Sequence, residues 1–173
     1  ITGNYSFMVE EDTTEPDAME PNNSRFDAAR VQIDRTYPNI NFMPAGDEDF
    51  FTFSVNSNDV NGDSLIIETD GDIDTLITLF DDKGVVIAED DDSGQDSNAR
   101  VVIDPLERGS YTIQVKQYDT SQLGTYALIL RKLRIQKDAF EPDDSILRAR
   151  PFRIGEPVQE RSFSSSEDID WIK

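Results

Sequence analysis

Three short runs constrain the fold most: FFTFSV at 50–55, TLITLF at 75–80 and YTIQV at 111–115. Each alternates with a period of two, so one face of the run is apolar and the other is not. That is the pattern of a half-buried strand, and no window of the chain carries a convincing 3.6-residue stripe. Further β-rich runs are expected at 28–33, 64–69, 85–89, 100–104 and 124–131, and the first and last of the three quoted runs extend to 49–55 and 110–117. Turn signals separate them: NGD at 61–63, DKG at 82–84, DSG at 92–94 and ERG at 107–109. About eight strands spaced by 8–12 residues specify an all-β chain folded as an antiparallel, jelly-roll-like β-sandwich.

A repeat sets the domain organisation. DAMEPNNS at 17–24 returns as DAFEPDDS at 138–145, an offset of 138 − 17 = 121 positions. Held at that offset without a gap, the match runs outward in both directions. Gly3 falls on Gly124, Tyr5 on Tyr126, Ala28 on Ala149, Ile33 on Ile154 and Phe42 on Phe163. Asp47 and Asp49 fall on Asp168 and Asp170, and Phe50 on Trp171. The chain therefore reads as a window on a tandem array. Residues 1–11 would be the last strand of a preceding unit, 12–136 a complete unit and 137–173 the opening of the next. The opening ITGNYSF carries no signal-peptide pattern and looks like a fragment or a processed chain.

Composition excludes several functions. With 36 acidic against 16 basic side chains the formal net charge is −20, which repels nucleic acid and acidic membrane surfaces and favours cations as partners. The chain has neither cysteine nor histidine. Disulfides, thiolate nucleophiles, Ser–His pairs and the usual zinc motifs are thereby absent. No apolar run reaches the length of a membrane span. Catalysis by paired carboxylates alone is the one enzymatic route left open, and the acidic clusters lie in turns without the companion groups of a pocket. No enzymatic activity is expected.

The repeated octapeptide and the GDED run are the candidate metal site. Pro21 holds Glu20 extended, which groups Glu20, Asn22 and Asn23 around a turn, while Asp47 and Asp49 stand at the mouth of a strand. Phe50 beside them should point into the core. Calcium takes six to eight oxygens from carboxylates, amides and carbonyls, and this set offers that chemistry. The second copy offers Glu141, Asp143, Asp144, Asp168 and Asp170. Its Asn-to-Asp exchanges keep the side-chain oxygens and add charge, so the second site is expected to bind tighter. The alternative is a plain turn followed by a solvated strand entrance. Two other acidic stretches compete. DGDID at 70–74 leads into a strand. EDDDSGQD at 89–96, set in the EF-hand register, puts Arg100 where a bidentate Glu is needed. A turn held by Asp and Ser side chains fits that loop better, with a looser second cation site as its alternative.

The succession EPNNS, GDEDFFTF, GDIDTLITLFDDKG, EDDDSGQDSNA, ERGSYTIQV and GTYALIL resembles the bacterial pre-peptidase C-terminal domain, whose relatives include the collagen-binding domains of clostridial collagenases. The resemblance implies a secreted or cell-surface, non-catalytic module of a bacterial protein. In the collagen-binding relatives it further implies Ca²⁺ held between the N-terminal acidic segment and the Asp pair before the first core strand. Carried over by position, the ligands are Glu20, Asn22, Asn23, Asp47 and Asp49, and in the second copy Glu141, Asp143, Asp144, Asp168 and Asp170. The relatives also use an acidic residue two before the motif's Glu. Ala18 and Ala139 stand there, and Asp17 and Asp138, one residue further out, are the substitutes to consider. Collagen binding does not carry over, because no exposed aromatic face matches it. The expected role is Ca²⁺ binding that stiffens the join between neighbouring repeats of the chain. The alternative is an accessory module that binds an extracellular protein or polysaccharide for a secreted hydrolase such as a protease.

Overall fold

The computed structural model describes residues 4–8, 15–44, 46–57, 60, 63–120, 124–133, 138–140, 143, 145–163 and 169–173. The described residues form nine strands and no helix. They are β1 (Ala29–Arg30), β2 (Arg35–Asn41), β3 (Glu48–Val55), β4 (Ser64–Gly71), β5 (Thr75–Phe80), β6 (Val86–Asp90), β7 (Arg100–Ile103), β8 (Gly109–Gln117) and β9 (Thr125–Leu133). One sheet has the order β1-β3-β8-β5-β6 and the other β2-β9-β4-β7. All pairings are antiparallel except β1 with β3, where Ala29 faces Phe51 and Arg30 faces Thr52. The chain is an all-β sandwich.

The period-2 runs lie where their faces require. In β3 the inward set is Phe51, Phe53 and Val55, and it meets Ile77 and Leu79 of β5, Ile113 and Val115 of β8, Leu65 and Ile67 of β4, and Leu128 and Leu130 of β9 in one buried cluster. Phe42 stacks on Tyr126 at 4.9 Å between ring centroids, and Phe53 on Tyr111 at 5.2 Å. Such pairs add to what their burial already contributes. Phe50 does not take its expected place in the core. It is buried, but strand alternation puts it on the other face of β3, outside the inter-sheet cluster. By the same alternation Asp49 shares the inward face with Phe51.

The N-terminal half of the unit departs from the expected strands. Only Ala29–Arg30 of the 28–33 run pairs, and a strand not expected from the sequence, β2, follows it. Pro38 and Asn39 disguise β2, because together they read as a turn. They sit where its pairing with β9 slips, between Tyr37 and Ile40, and Asn39 takes a left-handed φ of 59°. The other strands match their expected runs to within two residues at either end.

Backbone hydrogen bonds around the first octapeptide return 121 residues later. Phe50 N donates to Asn22 O at 2.8 Å, and Trp171 N to Asp143 O at 3.1 Å. Val31 N donates to Thr52 O at 3.0 Å, and Phe152 N to Lys173 O at 2.7 Å. Asp27 N donates to Ser24 O, and Arg148 N to Ser145 O. The parallel bridge of Ala29 with Phe51 has its counterpart in a parallel bridge of Arg150 with Ile172.

Candidate metal site

The segment before β1 is fastened to the sandwich by side-chain oxygens. Asp17 Oδ1 accepts from Met19 N at 2.7 Å, and its Oδ2 accepts from Asn41 N, on β2, at 2.8 Å. Asp17 thus fastens the segment, and it is not among the carboxylates whose oxygens converge below, so it is not the substitute ligand considered above. Met19 packs against the core from here. The Glu20–Pro21 peptide is cis. Glu20 Oε2 accepts from Asn22 N at 2.9 Å, and the Asn22 carbonyl takes the Phe50 amide of β3.

This path lays the octapeptide across the entrance of β3. One carboxylate oxygen each from Glu20, Asp47 and Asp49 falls within 4.8 Å of the others. Asp47 is held by two amides, Met43 N on Oδ2 at 3.1 Å and Glu48 N on Oδ1 at 2.9 Å. Asp49 is fully buried, and its Oδ2 accepts from the Tyr126 hydroxyl at 2.6 Å while its Oδ1 has no hydrogen-bond partner. The amide oxygen and nitrogen of Asn22, also fully buried, have none either. The Asn23 side-chain oxygen faces only acceptors. With its amide turned over, the nitrogen would donate to Glu20 Oε1 at 3.3 Å and Asp47 Oδ1 at 2.6 Å. An oxygen facing carboxylates suits a shared cation, and the turned amide suits a site without one.

The electrostatics follow from burial. Desolvation raises Asp49 to a pKa of about 7; the Tyr126 hydrogen bond pulls against this, while the charges of Asp47, Asp17 and Glu20 add to it. Desolvation also raises Glu20, against the pull of the Asn22 amide. Tyr126 is pushed well up by its own burial and by the Asp49 charge. Three carboxylates held this close, two of them buried, repel one another, and a divalent cation relieves that repulsion.

Of the residues expected at this site, Glu20, Asp47 and Asp49 are brought together, Asn23 reaches Glu20 and Asp47, and Asn22 is buried at the fastening bond to β3. Tyr126 was missed as a partner of Asp49, although its recurrence with Tyr5 at the repeat offset was a signal. In the second copy Glu141, Asp144 and Asp168 lie outside the described residues. Asp143 is buried and Asp170 half-buried. Asp143 forms an ion pair with Arg161, so the extra charge expected to tighten the second site is answered by a side chain. The fastener recurs: Asp138 Oδ1 accepts from Phe140 N and Oδ2 from Ser162 N, each at 2.7 Å. In the acidic loop Asp90 Oδ2 accepts from Ser93 N at 2.9 Å and Arg100 N at 2.8 Å, a turn held by a side chain. Among the described residues, Glu20, Asp47 and Asp49 are the one acidic group close enough to share an ion.

No curated protein sequence matches the chain. Among solved structures it is similar to the pre-peptidase C-terminal domain of a collagenase from Bacillus anthracis, at 20% identity and a TM-score of 0.48, over 60% of this chain and 93% of that one. It is also similar to Aeromonas hydrophila PliG, a periplasmic inhibitor of g-type lysozyme, at 16% identity and a TM-score of 0.44, again over 60% and 93%. From Asp47 in the carboxylate cluster to the end of β8, residues 47–117 match the family model of the bacterial pre-peptidase C-terminal domain.

Proposed function

We propose that the chain is a non-catalytic accessory repeat of a secreted or cell-surface bacterial protein. In this reading Ca²⁺ bound by Glu20, Asp47 and Asp49, with Asn22 and Asn23 as amide ligands, orders the segment that joins one sandwich to its neighbour. The observation that carries the reading is the convergence of three carboxylates at the crossing of the octapeptide and β3, with buried oxygens of Asp49 and Asn22 that accept no hydrogen bond. Calcium would supply charge compensation and the missing ligation there. The hydrogen bonds that recur at an offset of 121 support the tandem organisation, with units starting near residues 12 and 137. The family match over 47–117 supports the accessory role and the extracellular setting.

Calcium is expected to raise the melting temperature and to slow proteolysis near residue 17, by linkage to the folded state alone. At a hundredfold excess over Kd the stabilisation is about 2.7 kcal/mol. Equal melting temperatures and equal cleavage in calcium and in chelator would remove the reading.

A partner-binding module is the second reading. Val86, Ile87 and Val102 are exposed on the edge strands β6 and β7, beside a groove of about 290 Å³ floored by Leu79, Ala88 and Ile103. Exposed apolar edges of this kind mark contact surfaces.

A further inference from the structure

The two octapeptides differ at their buried position, an amide in the first and an acid in the second. At the repeat offset Asn22 corresponds to Asp143 and Ile40 to Arg161, so the second copy carries an acid and a base where the first carries an amide and an aliphatic side chain. Asn22 and Ile40 are both buried in the complete unit. Asp143 is as buried as Asn22, and the Arg161 side chain is only 12% exposed. Arg161 Nη1 donates to Asp143 Oδ2, and its Nε and Nη2 donate to Gln159 Oε1. Its guanidinium also lies 4.4 Å from the centre of the Phe140 ring. A planar, permanently charged group fixed on three sides is a well-defined counter-ion. The carbonyl of Asp143 meanwhile accepts the Trp171 amide, the bond that fastens this segment to the strand-like stretch 169–173.

We propose that Arg161 is the resident cation of the second octapeptide: its guanidinium neutralises Asp143 and holds Phe140, Asp143 and Ser162 against 169–173 without a metal. The contrast with the first octapeptide, which would take its cation from solution, rests on the calcium reading. Calcium would then order the first segment only, and the array would contain metal-dependent and metal-independent joins.

Amide hydrogen exchange of the whole chain, in calcium and in excess chelator, tests this. The amides of Phe140, Ser162 and Trp171 are expected to be protected equally in both conditions. Arg161→Gln is expected to speed their exchange in chelator at least tenfold, and the double variant D143N/R161I, which restores the uncharged pair of the first copy, is expected to recover protection. Unprotected amides in the parent chain, protection that needs calcium, or an Arg161→Gln variant that exchanges like the parent would each overturn the proposal. The segment at 17–24 is followed in the same experiment. If it ignores calcium while the Arg161 results hold, the calcium reading fails and the arginine proposal stands.

Discussion

Replacing Asp49 by asparagine is expected to raise the melting temperature in chelator at pH 8 and to abolish the response to calcium. The parent chain at that pH must keep a buried carboxylate ionised beside Asp47 and Glu20, or hold a proton against solution. Its pKa of about 7 against an ordinary 3.8 sets the scale, on the order of a few kcal/mol. Asparagine removes the charge and keeps an oxygen for the Tyr126 hydroxyl. With calcium the order reverses, because the parent gains a ligand charge that the variant lacks. The pH dependence follows in sign. Between about pH 4 and pH 7 the metal-free native state retains a proton on Asp49 that the unfolded chain has lost, so this group's contribution to stability falls as pH rises through that window. Calcium competes with that proton. The difference in melting temperature between calcium and chelator should therefore widen from pH 5 to pH 8, and Asp49→Asn should flatten it. Thermal unfolding followed by circular dichroism at both pH values reads both effects.

Phe51→Ala is expected to cost about 3–5 kcal/mol, the usual range for emptying a phenylalanine site in a core. Phe51 is fully buried on β3, which is bonded to β1 on one side and β8 on the other. A loss of that size takes a large share of the 5–15 kcal/mol by which domains are stable. In urea the midpoint should fall sharply while the slope is kept, which separates lost stability from a changed unfolded state. Phe50→Ala is the contrast, since Phe50 lies outside the inter-sheet cluster, and a smaller shift is expected.

The sandwich was legible because FFTFSV, TLITLF and YTIQV alternate so strongly that only strands satisfy them. Which residue of the Phe50–Phe51 pair enters the core was legible too, and the expectation for Phe50 went against it: alternation puts Phe51 on the apolar face with Phe53 and Val55. The same alternation carries Asp49 to the inward face, and what local sequence did not show is the Tyr126 hydroxyl that meets it there from across the sandwich. β2 was hidden because Pro38 and Asn39, read locally, signal a turn, whereas the pairing with β9 absorbs them as an irregularity. At the site, the repeat exposed the oxygen-bearing positions, and Glu20, Asp47 and Asp49 do meet. Local residue type could not separate a ligand from a fastener. Asp17 and Asp47 look alike in sequence and both accept backbone amides, yet only Asp47 brings an oxygen within 4.8 Å of those of Glu20 and Asp49. Nor could it show that Arg161 answers Asp143, because the two are 18 residues apart and the pairing depends on the fold of the segment between them.

The central claim is that the crossing of the first octapeptide with β3 binds calcium. Isothermal titration of calcium into the chain, with Glu20→Ala and Asp49→Ala as parallel samples, tests it most directly. The expected result is a saturable calcium isotherm in the parent chain that either substitution weakens at least tenfold. A parent chain that takes up no calcium, or variants that bind it as the parent does, would contradict the account.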